Sequence, residues 1–537
     1  MLKYDVEPLR RLLLEKILIQ QFSSLKDLLQ QNTSPYITTS AQEQIIQQFA
    51  IHMDWMVIPT IAKEVNFSRH ESNHTTRVLK RDGYQQFISK HPEYIKSLFN
   101  DKYNGLFNDL VIRANRIIEH IALCLKRIQN DWQQICRSFF LNKESSISSI
   151  DIFAGDPHAG KNTVIIELTD QTAFVYKPVS VVLDNVLQGI IEWTNGSEGP
   201  PLKTVNSIVR NGYGYFEFIK NDSKCVTQEE VIRFHKCLGK HLALDCALGT
   251  VDGHMENIIA VKDTPYRVDL ETGFHTVNSY QKEKFSAIEQ TGLLINITKM
   301  PSNWPIVSGI QAGTIPRLSF FAPFVINDGT DNMEVQYRRN SRGKVTNRIY
   351  FMNSLVHPED YIDDITDGFN MMYKWITTNK EELFKLVEER VFKSQAISRH
   401  LFRATAFYSL LTRRLFLPEV RQTGNLRDQL QDATNLLENP KSKLEPLKEE
   451  FKLFHEFRDI LNFDIPYFYR PLETNNICAS DGNTFHNFFD SNILDDLRTR
   501  LEIFELSLKD NHKAIIECLS STKNNKSNSY SSNNPVY

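Results

Sequence analysis

The chain has 537 residues, 41% of them hydrophobic, and a formal net charge of -3. That length and apolar content support a large buried core spread over two to four domains. The near-neutral balance lends no support to a nucleic-acid binder, and no apolar run reaches membrane-spanning length.

The seven cysteines (124, 136, 225, 237, 246, 478 and 518) are dispersed, with no C-x-x-C pair. This fits reduced thiols in a cytoplasmic protein and offers no zinc site. The N-terminus is charged throughout and lacks a signal peptide's apolar core.

In chain order, residues 1 to about 145 read as helical. Ile117, Ile121, Leu125, Ile128, Trp132 and Ile135 recur at helical steps and form one apolar face. Near Asp151 the pattern changes. "NTVIIEL", "TAFVYKPV" and "YGYFEFI" are short, β-branched or aromatic runs, and Asn211-Gly212 marks a hairpin turn. A small antiparallel sheet over 151–220 is predicted, with a helix around Asp184 to Thr194. Thr227 and Glu230 have capping-box spacing, so a helix begins there and ends near Gly249. "NIIAV" and "YRVDL" read as two strands. From about Pro358 the pattern is helical again, and the polar tail "STKNNKSNSYSSNNPVY" reads as disordered.

The stretch "GTVDGHMENIIAV" joins the predicted helix to the predicted strands. Asp252 and Asn257 stand five apart, the Asp-to-Asn step of a protein-kinase catalytic loop. There the Asp orients the acceptor hydroxyl and the Asn holds magnesium. Asp269 falls where a kinase's second metal-binding Asp sits. Asn257, Asp269 and Glu271 are the oxygen ligands a hard cation favours. Lys177, on an earlier strand, is the candidate for the nucleotide phosphates. The spacing alone is common, since loop Asp and Asn often only make turns. Helix, hairpin and upstream Lys together strengthen it. Two features depart from a protein kinase: Thr250 stands where its loop has His, with His254 after the Asp instead, and no G-x-G-x-x-G precedes Lys177. In that place "AGDPHAGKNTVIIEL" puts Asp156, His158 and Lys161 on a Gly-bracketed turn, with His158 as a candidate acid/base over the phosphates.

"GDPHAGK", "FVYKPVS", "DGHMENIIA...YRVDLETGF", "SRHLFRATAFYSLL" and "FDIPYF" followed by "SDG" occur in that order. Together they resemble the dehydratase domain of class II (LanM-type) lanthipeptide synthetases, from about Tyr84 to Phe504. The resemblance implies an α+β, lipid-kinase-like two-lobed fold with a small antiparallel sheet and large added helical regions. It implies an enzyme that phosphorylates Ser and Thr of a leader-bearing precursor peptide with ATP and Mg2+. Eliminating the phosphate then gives dehydroalanine or dehydrobutyrine. Asp252, Asn257 and Asp269 would serve phosphoryl transfer, supported by His254 and Glu271, and Lys177 would contact phosphate. Asp156, His158, Arg399 and Thr405 would serve elimination, the last two from the family pattern R-x-x-x-R-x-T. Arg403 is open to the same phosphate role, and Lys161 stands where the family often has Arg.

The implied organisation is residues 1–150 as a helical activation or substrate-docking region, 151–357 as the kinase-like core, 358–515 as a helical region bearing elimination residues, and 516–537 as the tail. The Trp-Cys and Cys-His dipeptides of the family's zinc cyclase domain do not occur. A stand-alone dehydratase is therefore expected, with ring closure left to a separate cyclase, to spontaneous chemistry, or not occurring. Two alternatives stand beside this reading: a kinase that stops at phosphorylation, and a non-catalytic partner in peptide maturation.

Overall fold

Six helices open the chain: α1 (Pro8–Ile17), α2 (Ile19–Gln30), α3 (Thr39–Glu71), α4 (Asp82–Ile88), α5 (Pro92–Asp101) and α6 (Leu106–Ser138). The computed structural model describes residues 5–31, 35–71, 80–276, 284–300, 306–312, 320–340, 345–422, 424–437 and 444–529. The apolar stripe of α6 is buried as its spacing predicts.

Five antiparallel strands follow: β1 (Ile147–Asp151), β2 (Val164–Leu168), β3 (Ala173–Lys177), β4 (Ser207–Arg210) and β5 (Tyr213–Glu217), ordered β1-β2-β3-β5-β4. Asn211 and Gly212 make the two-residue turn between β4 and β5, which pairs Arg210 with Tyr213. Helix α6 is tied to this sheet. Arg127 donates to the Tyr176 hydroxyl at 2.7 Å, and Asp131 accepts from the hydroxyls of Tyr213 and Tyr215 at 2.9 and 3.0 Å.

Helix α7 (Val182–Trp193) comes soon after Lys177, the last residue of β3. Past the short strand β6 (Lys224–Cys225), α8 spans Gln228–Leu248. Its Thr227–Glu230 capping box is formed, and Gly249, at φ 65°, closes it in the left-handed conformation that glycine enters without steric cost. Strands β7 (Ile258–Val261) and β8 (Thr264–Arg267) make a hairpin, followed by α9 (Ala287–Gln290). Strands β9 (Phe320–Ile326) and β10 (Glu334–Asn340) form a second hairpin; β11 (Tyr350–Phe351) and β12 (Ser354–Leu355) join β6.

Helices α10 (Ile362–Thr378) and α11 (Lys380–Ser394) bear out helix after Pro358, but the helical reading does not hold throughout. Strand β13 (Ile397–His400) carries Arg399. It pairs antiparallel with β14 (Phe468–Pro471) in a four-stranded sheet completed by β15 (Ile477–Ala479) and β16 (Thr484–Phe485). Helices α12 (Thr405–Arg414), α13 (Pro418–Gln422), α14 (Leu426–Leu437) and α15 (Pro446–Leu461) lie between β13 and β14, and α16 (Ile493–Leu506) and α17 (Leu508–Ser529) close the described chain. The expected disordered tail from 516 is therefore corrected. Helix α17 runs through that boundary because Ile515, Cys518 and Leu519 recur at helical spacing and are buried. Residues 530–537 lie outside the described residues.

Two apolar cores organise the fold. The first joins α1–α6 to the five-stranded sheet and to Tyr408, Phe457 and Ile465; the second joins α7, α8, α10, α11, α16 and α17. Loop 153–163 is flanked by Ile152 and Val164 of the first core, while the segment 249–271 is flanked by Leu248 and contains Ile258 and Leu270 of the second. The quoted motifs thus meet where the two cores face each other. Among the described residues, no helix is long and apolar enough to cross a membrane.

Candidate active site

The loop after α8 is held from beneath by Arg267. Its guanidinium is buried against Asp245 at 3.1 Å and also reaches the carbonyls of Val268 (3.2 Å), Asn257 (3.4 Å) and Val251 (3.5 Å). A buried cation spread over several acceptors fixes those carbonyls, and with them the loop. Asp252 and Asp269 both have left-handed backbone, at φ 61° and 58°. Asp tolerates that region better than most residues, and such conformations gather at functional sites. Asp269 lies two residues beyond β8, not within the predicted strand.

Asn257 is buried, and its Nδ2 donates to the Asp252 carbonyl at 2.9 Å. The amide oxygen is then the end available to a cation. His254 accepts from the Glu256 backbone N–H through Nδ1 at 3.2 Å and turns Nε2 toward Asp252, 3.9 Å away.

Lys177 Nζ hydrogen-bonds Asp269 and lies 3.6 Å from Asp184. Burial works to lower the Lys177 pKa, but Asp184, Asp269 and Glu271 together hold it well above the usual lysine value. Burial works to raise Asp269, and Lys177, Arg399 and His254 overcome it, so its carboxyl is held down to about 2. Asp184 was not singled out as a functional residue from sequence. It occupies the first turn of α7, is pushed upward by burial, and accepts from the Leu270 backbone N–H at 2.9 Å. It therefore ties the strand Lys to the Asp269 loop.

The elimination candidates converge on the other wall. Thr405, the first residue of α12, hydrogen-bonds Asp156. Desolvation in the recess raises the Asp156 pKa, opposed by Arg399 and Thr405. The same carboxyl also feels Asp252 and His254 of the loop after α8. His158 Nδ1 lies 2.9 Å from the Ile465 carbonyl, which can only accept, so the proton sits on Nδ1 and Nε2 keeps its lone pair. Burial, with Arg399 nearby, lowers His158 to about 3 and keeps the ring neutral.

Arg399 is buried on β13. One nitrogen, Nη1, is 2.6 Å from Glu271, and its backbone N–H donates to the Glu271 carbonyl at 2.7 Å. Among the described residues the buried Nε and Nη2 have no hydrogen-bond partner. A buried guanidinium edge aimed at no acceptor is the arrangement that suits a phosphate. Arg403 instead makes a two-pronged pair with Glu456, at 3.0 and 3.2 Å. The Lys161 pKa is lowered by burial and by Arg127 of α6.

The "FDIPYF" segment explains how the 155–161 loop is held. Asp464 accepts from the Gly160 N–H at 3.0 Å and pairs with Arg113 and Arg116 of α6 at 3.4 and 2.7 Å. The Ile465 N–H donates to the Pro157 carbonyl at 2.8 Å. Arg113, Arg116, Asp464 and Asp184 carried no spacing signal that spacing analysis could use, because each acts across the fold.

Among the described residues, no three His, Cys, Asp or Glu side chains gather as a metal cage. Magnesium is usually held by one or two side chains together with substrate phosphates. Asn257 and Asp269 supply two oxygens of the right kind, and Glu271 is engaged by Arg399.

Comparison with known proteins adds a relative, the lacticin 481/lactococcin biosynthesis protein LcnDR2 of Lactococcus lactis subsp. lactis. It is 26% identical over 432 residues, covering 75% of this chain and 44% of that protein. The chain thus spans less than half of the relative's length. The family model described as "Domain of unknown function (DUF4135)" matches residues 103–470. That range takes in the 155–161 loop, Lys177, Asp184, the segment from Asp252 to Glu271, and Arg399 through Thr405. With both walls of the cleft inside a match covering more than half of its length, the chain belongs to the DUF4135 family.

Proposed function

We propose that the chain is a peptide dehydratase of lanthipeptide maturation with a lipid-kinase-like arrangement, acting in the cytoplasm on Ser and Thr of a leader-bearing precursor peptide. The observation that carries this reading is Arg399. One of its nitrogens is anchored on Glu271, two residues from Asp269, while its other edge is buried without a partner among the described residues. A group suited to hold a phosphoester thus stands beside residues suited to make one. The relative's printed role in lacticin 481/lactococcin biosynthesis supports the substrate class.

Bound ATP and magnesium would supply the phosphoryl group. Asn257 and Asp269 would hold the metal, and Lys177, steadied by Asp184, the phosphates. Asp252 orients the acceptor hydroxyl and takes up its proton, with His254 beside it. Hydroxide is a poor leaving group and phosphate a far better one, so phosphorylation prepares the elimination. His158 Nε2 is then the proposed acceptor of the Cα proton, and Asp156 and Thr405 position the phosphorylated residue. A phosphate dianion alongside would raise the proton affinity of Nε2, so the base strengthens as its substrate arrives.

The test is to incubate the chain with ATP, magnesium and the precursor peptide encoded beside it, and to weigh the peptide. Loss of water is expected. A stable phosphate adduct would make the chain a kinase only, and an unchanged mass would overturn the reading.

A further inference from the structure

"FDIPYF" contains one residue that holding the loop does not use. Tyr467 is 7% exposed, and its ring lies 5.1 Å from that of His158, tilted by 56°. The Arg399 guanidinium stands over the same ring, 5.4 Å from its centre. Burial first, then the charges of Glu271 and of Asp184 and Asp269, push its phenol well above the usual tyrosine value. It therefore stays protonated and can donate. Among the described residues no hydrogen bond engages the Tyr467 hydroxyl, and Nε and Nη2 of the guanidinium over its ring are buried without a partner. Three donors with no acceptor, beside a neutral histidine lone pair, form a site for an oxyanion.

We propose that Tyr467 is a further catalytic residue of the elimination step, its hydroxyl donating to the phosphorylated side chain beside the unpartnered edge of Arg399. In that step the Cα–H bond breaks and its proton goes to His158 Nε2. The electron pair becomes the Cα=Cβ bond, and the Cβ–O bond breaks with its pair leaving on phosphate. Arg399 and Tyr467 receive the charge that develops on the departing oxygens.

This inference rests on the dehydratase reading, and the experiment separates the two. Tyr467→Phe keeps the ring against His158 and removes only the donor. With ATP, magnesium and the precursor peptide, the variant should phosphorylate at the wild-type rate and accumulate phosphopeptide. Its elimination should slow by roughly 100- to 1,000-fold, the scale of losing one oxyanion donor. A synthetic pre-phosphorylated precursor isolates the second step and should show the same loss. Wild-type dehydration by the variant, or loss of phosphorylation along with it, would overturn the role of Tyr467 alone. Wild-type protein that neither adds nor removes phosphate would refute the dehydratase reading and this role with it.

Discussion

Glu271 is the residue at which the two halves of the cleft meet. Sequence spacing groups it with Asp269 as a metal oxygen, whereas the fold sets it on Arg399 through both side chain and backbone. The two roles make different predictions. As a metal ligand, its loss would prevent phosphorylation. As the group that orients Arg399, its loss would spare phosphorylation and impair elimination. Glu271→Gln is expected to give the second result, with phosphopeptide accumulating and elimination slowed roughly tenfold or more, since charge-assisted pairs fix geometry as well as energy. Mass spectrometry of the product peptide decides it; a peptide without phosphate would return Glu271 to the metal. Removing one partner of a buried pair also costs about 3–5 kcal/mol, so the melting temperature should fall as well.

Among the elements, α8 is the beam that carries the Asp252–Asn257 loop, and its crossing with α10 is backbone against backbone. A Cβ on Gly239 would lie 1.9 Å from the Ile365 carbonyl oxygen, and one on Gly368 would lie 1.9 Å from that of Lys236. No side-chain rotation relieves such a contact. Gly239→Ala should force the helices apart and cost on the order of 3 kcal/mol, read as a fall in thermal midpoint. An unchanged midpoint would mean that the crossing is looser than described. The start and end of α8 were legible in sequence, because a capping box and a terminal glycine are local signals. Strand β13 was not. "SRHLF" has no clear alternation, and the residues that make it a strand, Phe468 to Pro471, lie beyond four intervening helices. Likewise α17 hid in polar composition, its few apolar residues gaining meaning only from the second core that receives them.

Across the whole molecule, burial leaves a set of neutral histidines. His120, His235 and His275 are lowered to about 4 and His241 to about 3, each chiefly by burial. Unfolded, each would bind a proton near pH 6.5. Their contribution is complete above that value. As pH falls from 6.5 toward 4, the unfolded chain takes up protons that the folded chain refuses, so stability declines. Asp245 and Asp464, pushed upward by burial, act in the opposite sense. The histidine share is therefore best read from His241→Gln, which should lose roughly 2 kcal/mol less stability than wild type between pH 7 and 5. Denaturant melts at the two pH values measure it, and equal losses would show that His241 is not held neutral.

Features that depend on neighbours in the chain were legible without the fold: the capping box of Thr227, the Asn211-Gly212 turn, the five-residue step from Asp252 to Asn257, and the order of the motifs. These follow from hydrogen bonds and backbone preferences that close within a few residues. Which motif faces which was not legible until the chain was folded. Asp184 meets Lys177, Asp464 clamps Gly160, Glu271 grips Arg399, and Tyr467 packs against His158 and Arg399. Those pairs form because two apolar cores pack and bring distant loops to one cleft, and the free energy of that packing lies in buried surface rather than in spacing.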